Sequence, residues 1–378
     1  MAVLTDDQQM VKDIAQAWVR DRIPVAAVRS VRSTHIGIGH DPALFAEMAD
    51  MGWTGMLVNE DHGGFAFDHR SFGIVMEELG RQLAISPLLS SALLAASALT
   101  LGGTKGQQDR WLPGIAAGTT IGTLAIEESH RHAPLQTAFS AQRVENGWTL
   151  TGTKRAVLDG IAAQLFVVVA RTSGVSGDAK GLTLFLCPAE TVGVTKRALK
   201  QIDSHGDAIV DFEAVQLPLD AVIGEPDGAM PLLDLILDRG RAALAAEMLG
   251  ASQQAFATTM DYLKTRVQFG HPIGAFQALQ HRAADMLNAI ELTRSAVETA
   301  LAAIDEGRPE MPALVSLAKA MAGQTMRAIA REMIQMHGGI GMTDEHDAGL
   351  YLKRAHVADM TFGNSAFHRE RYAALSSL

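Results

Sequence analysis

The spacing of apolar residues changes twice along the chain. Over the first 120 residues it is helical. Thr5-Asp-Asp-Gln8 has the form of a capping box, and Val11, Ile14, Ala15, Trp18 and Val19 then fall on one helical face. Asp41-Pro42 opens a second helix with Leu44, Phe45, Met48 and Met51 on one side, proline taking the first helical position. Further helices are predicted near residues 71–82 and 87–101, and Asp109-Arg-Trp-Leu-Pro113 marks another helix terminus. A Gly-rich turn lies at His62-Gly63-Gly64. From about 121 the runs become short and β-branched: Ile121–Ile126, Trp148–Thr151, Leu165–Ala170, Leu182–Leu186, Val192–Val194 and Ile209–Phe212. Asn146-Gly147 is a hairpin signal and Ser173-Gly-Val-Ser-Gly177 reads as a hairpin tip. No helical pattern intervenes, so a small sandwich or barrel is expected, ending near Gly224-Glu-Pro-Asp-Gly228. Amphipathic helical runs return at 231–267, 276–305, 312–336 and 344–360, broken by Gly307-Arg-Pro309 and His337-Gly-Gly-Ile-Gly341. The expected fold is α+β: an N-terminal helical domain (1–120), a middle β-sandwich or barrel domain (121–227) and a C-terminal four-helix bundle (228–378).

Composition narrows the function. The 378 residues fit two to three domains, and with aromatics at 5% and 17 methionines the core must be largely aliphatic and methionine. The formal net charge of −10 argues against a nucleic-acid partner, which needs a clustered basic surface. The single cysteine, Cys187, excludes an internal disulfide and a multi-thiolate metal site, and its apolar surroundings suggest a buried structural thiol. The opening Met1-Ala-Val-Leu-Thr-Asp-Asp does not resemble a signal peptide, and no apolar run reaches the ~18 residues of a membrane span, so a cytoplasmic protein with no membrane partner is expected.

Most familiar catalytic signatures are absent. There is no Gly-x-Ser-x-Gly elbow, Walker loop or His-Glu-x-x-His pair, and Gly37-Ile-Gly39 lacks the third glycine of a dinucleotide fingerprint. His346 and His356 show no metal-ligand pattern and read as ordinary histidines; no metal is expected. Two segments remain. Tyr262-Leu-Lys-Thr-Arg-Val-Gln-Phe-Gly-His-Pro-Ile-Gly-Ala-Phe-Gln277 describes a helix delivering Arg266, a reversal through Phe269-Gly270 and Pro272-Ile273-Gly274, and a new helix at Phe276-Gln277. An arginine can grip a phosphate with both arms and a phenylalanine can lie on a flat ring, although a solvated arginine on a helix hairpin explains the segment as well. Gln335-Met-His-Gly-Gly-Ile-Gly-Met-Thr-Asp344 ends one helix at paired glycines and starts the next near Thr343. Backbone amides can approach an anion there, but glycine caps are common.

Together, in this order and between these domains, the two segments resemble the acyl-CoA dehydrogenase family. Met51-Gly52, Glu60-Asp-His-Gly-Gly64 and Trp111-Leu-Pro113 extend the likeness over nearly the whole chain. The resemblance implies FAD as cofactor and α,β-desaturation of an acyl-CoA thioester, with an electron-transfer flavoprotein as acceptor. It assigns Arg266, Phe269, Phe276, Gln277, Gln335, Gly338 and Gly339 to FAD, largely bound by a neighbouring subunit, and Asp238 and Arg241 to the acyl-CoA.

The same resemblance exposes two departures. The α-proton must go to a carboxylate while the thioester carbonyl is polarised. By register, Gly363 occupies the family's C-terminal glutamate position, and Gly240 the alternative one. The flavin-facing run reads Ile126-Glu-Glu-Ser129 then His130-Arg-His132, placing Glu127 where a threonine commonly bonds the flavin. Ala156 stands in place of the tryptophan. These gaps resemble the small, base-lacking subunit of heteromeric bacterial acyl-CoA dehydrogenases of steroid or dicarboxylate degradation, whose homologous catalytic partner in a heterotetramer supplies the base. The alternatives are a self-sufficient, homo-oligomeric enzyme using an unusual base, Glu247 or after it Asp359, and a scaffold without flavin. For Glu247, a structural pairing with an arginine is the plainer expectation.

Overall fold

Thr5 caps the first helix in the computed structural model, which describes residues 4–25, 27–34 and 37–377. Its hydroxyl accepts from the Gln8 amide and the Gln8 side chain accepts from the Thr5 amide, both at 3.2 Å, so the capping box is closed. The N-terminal helices are α1 (Asp6–Arg22), α2 (Ala27–Thr34), α3 (Pro42–Asp50), α4 (His69–Arg81), α5 (Ala96–Gly102) and α6 (Lys105–Ala116). Asp41 caps α3 as expected, and a π-helical stretch, Leu88–Ala95, leads into α5. Pro113 does not end α6 but lies inside it. It falls in the last turn, where the Ala117 amide still closes on the Pro113 carbonyl at 3.0 Å, so little helix is lost.

The strands are β1 (Gly122–Ala125), β2 (Ser140–Val144), β3 (Gly147–Val157), β4 (Leu165–Arg171), β5 (Leu182–Pro188), β6 (Val194–Ala198), β7 (Ala208–Pro218) and β8 (Val222–Ile223). They form one sheet in the order β6-β7-β3-β2-β4-β5-β8, with β1 parallel to β4. Bulges in β3 after Leu150 and Lys154 re-aim its side chains. β2 was not anticipated, because only Ala141 of its five residues is buried. The β2–β3 turn uses Glu145-Asn146, one residue earlier than predicted. Gly147 is already paired with Val144, and a Cβ there would lie 2.0 Å from the Leu217 carbonyl oxygen. In this core Phe139 and Phe166 both meet Phe212 edge-on, and Trp148 meets Phe185. Cys187 is fully buried there, and burial pushes its thiol up to about 12.

The C-terminal part contains α7 (Met230–Thr265), a two-stranded hairpin of β9 (Val267–Gln268) and β10 (His271–Pro272), α8 (Gln277–Asp305), α9 (Met311–His337), α10 (Ala348–Met360) and α11 (Ser365–Leu375). The four anticipated helices are joined by a fifth. α11 is polar, with only Ser365 and His368 buried, so it carried little apolar signal; Asn364 caps it. α10 begins at Ala348 rather than near Thr343.

By compactness the chain divides into two units. One gathers residues up to 29, 69–84 and 241 onward; the other gathers 30–68 and 85–240. Within the first, α4 meets α7 so closely that a Cβ on Gly80 would lie 2.0 Å from the Glu247 carbonyl oxygen, and one on Gly250 1.8 Å from that of Glu77. Within the second, Gln107 on α6 donates to the Asp220 and Val222 carbonyls beside β8. Among the described residues no helix is long and apolar enough to cross a membrane.

Candidate cofactor and active site

In the first unit α7 ends as the Arg266 amide closes on the Tyr262 carbonyl at 2.8 Å. The chain then reverses through Phe269 (φ 57°) and Gly270 (φ 84°), both left-handed, as a two-residue hairpin of this kind requires. Glycine adopts that backbone freely; phenylalanine does so only under strain. The strained ring is 84% exposed, edge-on to Phe276 at 5.9 Å, with His271 4.8 Å from Phe276 on the other side. Arg266 and Gln277 are exposed on the same corner, and Arg266 forms no ion pair among the described residues.

The glycine turn lies nearby. α9 stops at His337, Gly338 takes φ 65°, and nothing lies within 4 Å of where a Cβ on Gly338 or Gly339 would stand. Gln335, on the last turn of α9, is exposed. The Tyr262 ring stacks on His337 at 4.3 Å, so the two segments singled out in the sequence meet. Exposed amides and aromatics beside an uncommitted arginine suit the ADP half of FAD.

The positions read as base sites differ from this corner. Gly363 has φ 102°, and a Cβ on it would lie 2.4 Å from the Phe367 ring. Thr361, Phe362 and Asn364 flank it, so no residue of this turn is acidic. Arg241 is 1% exposed; its Nε donates to the Phe362 carbonyl at 3.2 Å, and its guanidinium lies 5.8 Å over the Phe367 ring. Lys319, fully buried on α9, donates to the carbonyls of Ala358, Asp359 and Gly363 at 3.0–3.1 Å. Burial pulls its ammonium down to about 7, against the attraction of Asp359. Burial, with Arg241 and Lys319 beside it, likewise holds His368 far below the usual histidine range. Asp359 accepts from Ser365 and Arg327. Glu247 is buried and paired with Arg354 Nε at 2.7 Å. Gly240 is buried within α7, as is Asp238 at 1% exposure. Lys319 and Phe367 escaped the sequence reading. A lysine on the Val315, Ala318, Ala322 face of α9 was the signal available for the first.

The flavin-facing run of the β-domain, in the second unit, is tied to β3. The Arg155 amide donates to the Glu127 carbonyl at 2.7 Å, and Lys154 Nζ donates to the Ile126 carbonyl at 3.0 Å and to Glu128 at 2.7 Å. Glu128 also accepts from the Ala138 and Phe139 amides. Glu127 pairs with the buried His132. Burial lowers the Lys154 ammonium to about 8, with Glu128 opposing. Ala156, where the family carries tryptophan, has φ 46° beside the second bulge. The Glu127 and Glu128 carboxylates are thus committed to His132, Lys154 and backbone amides, and neither offers a flavin ring the hydroxyl donor of a threonine.

Residues 5–119 match the acyl-CoA dehydrogenase N-terminal domain and residues 230–375 the acyl-CoA dehydrogenase C-terminal domain. The chain belongs to the acyl-CoA dehydrogenase family, FAD-dependent oxidoreductases acting on a CH–CH bond. It is 29% identical over 370 residues to the mitochondrial short-chain specific acyl-CoA dehydrogenase of Homo sapiens, covering 96% of this chain and 87% of that one. It is also similar to butyryl-CoA dehydrogenase from Megasphaera elsdenii (26% identity, TM-score 0.91, all of both chains). A third similar structure is the ChsE4-ChsE5 complex from Mycobacterium tuberculosis (25% identity, TM-score 0.89, 100% of this chain and 99% of that one).

Proposed function

We propose that this chain is the subunit of a heteromeric acyl-CoA dehydrogenase that has no base of its own and completes the FAD site of a homologous catalytic partner. The observation that carries this reading is the 361–364 turn: it holds no carboxylate, and the Phe367 ring fills the space above Gly363. Two cations, Arg241 and Lys319, are bonded to its backbone carbonyls, and the neighbouring Asp359 carboxylate is held by Ser365 and Arg327. FAD, when bound, accepts the β-hydrogen with its electron pair while a carboxylate takes the α-proton. This chain's part is binding and orientation. Arg266 grips phosphate, Phe269 and Phe276 cover a flat ring, Gln277 and Gln335 supply amides, and Gly338-Gly339 admits the pyrophosphate close to the backbone. The partner supplies the base, and electrons leave through an electron-transfer flavoprotein. A relative of this fold described as a two-component complex supports the heteromeric reading.

Glu247 has a different role in this reading. Its carboxylate neutralises Arg354 inside the helical unit, and so it holds the fold rather than a proton in transit. The burial of Asp238 and Arg241 argues that acyl-CoA contacts in the assembled enzyme come from the partner's copies of these positions. Co-expression with the chain encoded beside this one tests the reading. The complex should carry flavin and desaturate acyl-CoA, and Arg266→Ala in this chain should strip the flavin. Arg266→Ala leaving flavin in place would favour a scaffold.

A further inference from the structure

Three rings hold the exposed corner together. Tyr262 and His337 stack at 4.3 Å with 29° between their planes, and His346 lies 4.3 Å from His337 on a tilt of 48°. We propose that His337, held between Tyr262 and His346, is a positioning residue that fixes the Gly338-Gly339 turn for the ADP half of the cofactor. The inference rests on the reading of this corner as half of an FAD site.

The hydrogen bonds define what each ring does. His337 Nδ1 donates to the Met333 carbonyl at 2.7 Å, because a carbonyl can only accept, and this locks the ring plane at the end of α9. Tyr262 Oη donates at 3.4 Å to the His337 carbonyl, the oxygen of the peptide that leads into Gly338. His346 Nδ1 accepts from the Ala348 amide at 3.1 Å and so caps α10 while its ring leans on His337. The turn folds back on the same residue: a Cβ on Gly341 would lie 2.8 Å from the Ile334 carbonyl oxygen and 3.1 Å from the His337 Cβ. Through its own carbonyl Tyr262 also takes the Arg266 amide. The ring stack therefore bears on the glycine turn, where left-handed Gly338 has no side chain to hold it, and sits one helical turn before Arg266. Burial lowers the His337 imidazole below the usual histidine range, against the bond to the Met333 carbonyl, which favours the neutral ring in the stack.

The test uses the co-purified complex at pH 7.5 and reads the FAD dissociation constant together with the flavin-to-protein ratio after desalting. His337→Ala is expected to weaken FAD about tenfold, and His337→Phe, which restores a stacking ring without the Nδ1 bond, to stay within about twofold of the wild type. FAD held by His337→Ala within about twofold of the wild type overturns the proposal, as does a His337→Phe variant no better than His337→Ala. Should His337→Ala fail to assemble, Tyr262→Phe decides. It keeps the stack and removes only the bond to the His337 carbonyl, so a severalfold loss is expected and an unchanged affinity contradicts the proposal. Arg266→Ala in the same complex separates the two levels. If it too retains FAD, the corner is not a flavin site; if it alone loses FAD, only the brace is wrong.

Discussion

Around Arg266 the chain keeps its polar and aromatic groups exposed, and accepts a left-handed phenylalanine to do so. At Glu127 and Glu128 it does the reverse: the first is tied to His132 and the second to the Lys154 ammonium, and backbone amides and carbonyls close the network. The buried turn at 361–364 follows the second pattern, with two cations on its carbonyls and a ring above its glycine. Groups meant for a ligand must stay unsatisfied until it arrives, and that is tolerable only in contact with water. Buried charges must find partners within the fold, and once paired they cannot be lent without a large penalty. On the proposed reading, the contrast separates a half-site kept for a ligand from two that have become structure.

The largest effect is expected where the closed network is opened. Glu128→Ala leaves Lys154 buried with the Ile126 carbonyl as its remaining partner, and should lower stability by about 3 kcal/mol in chemical denaturation. A loss below about 0.5 kcal/mol would place Glu128 among ordinary surface ion pairs and weaken the contrast. Next, Arg266→Ala should reduce FAD affinity of the assembled complex about 100-fold, near 2.7 kcal/mol, with little change in melting temperature. The exposed arginine would then serve the ligand and not the fold. Gly363→Ala should destabilise by about 2 kcal/mol, since φ 102° and the Phe367 ring both resist a Cβ. A neutral outcome there would mean the turn is loose enough to admit a substrate. The last effect is a slope. The folded chain holds the Lys319 proton less tightly than the unfolded one, whose lysine titrates near 10.5. The unfolded state therefore binds more protons between pH 7 and 10.5, and stability should rise with pH through that window by at most ~1.4 kcal/mol per unit from this group. Lys319→Met should remove that part of the slope in denaturation curves at pH 7.5, 8.5 and 9.5, while the matching contribution of Lys154, lowered to about 8, persists.

The exposed half-site was the more legible in sequence. The Thr5 capping box, the apolar β-branched run of β4 and the Arg266 and glycine segments depend on neighbours within a few residues, so they appear as local patterns. β2 and α11 carry one and two buried residues respectively, too few to set a period. Pro113 misled because its cost depends on distance from the helix end, which tertiary contacts decide. The filling of Gly363 by Phe367 and of the α10 terminus by Lys319 needed the fold. At Gly363 the Phe367 ring, four positions along, lies where a Cβ would point, and Arg241, more than a hundred residues away, lies 5.8 Å over that ring.

The central claim is tested most directly by the flavin-to-protein ratio of the purified chain, without any partner, and by its spectrum on addition of acyl-CoA. The account predicts flavin well below one per chain and no bleaching of any residual flavin by butyryl-CoA or a bulkier thioester, with both restored by the co-expressed partner. One flavin per chain, reduced by an acyl-CoA in the absence of any partner, would contradict it.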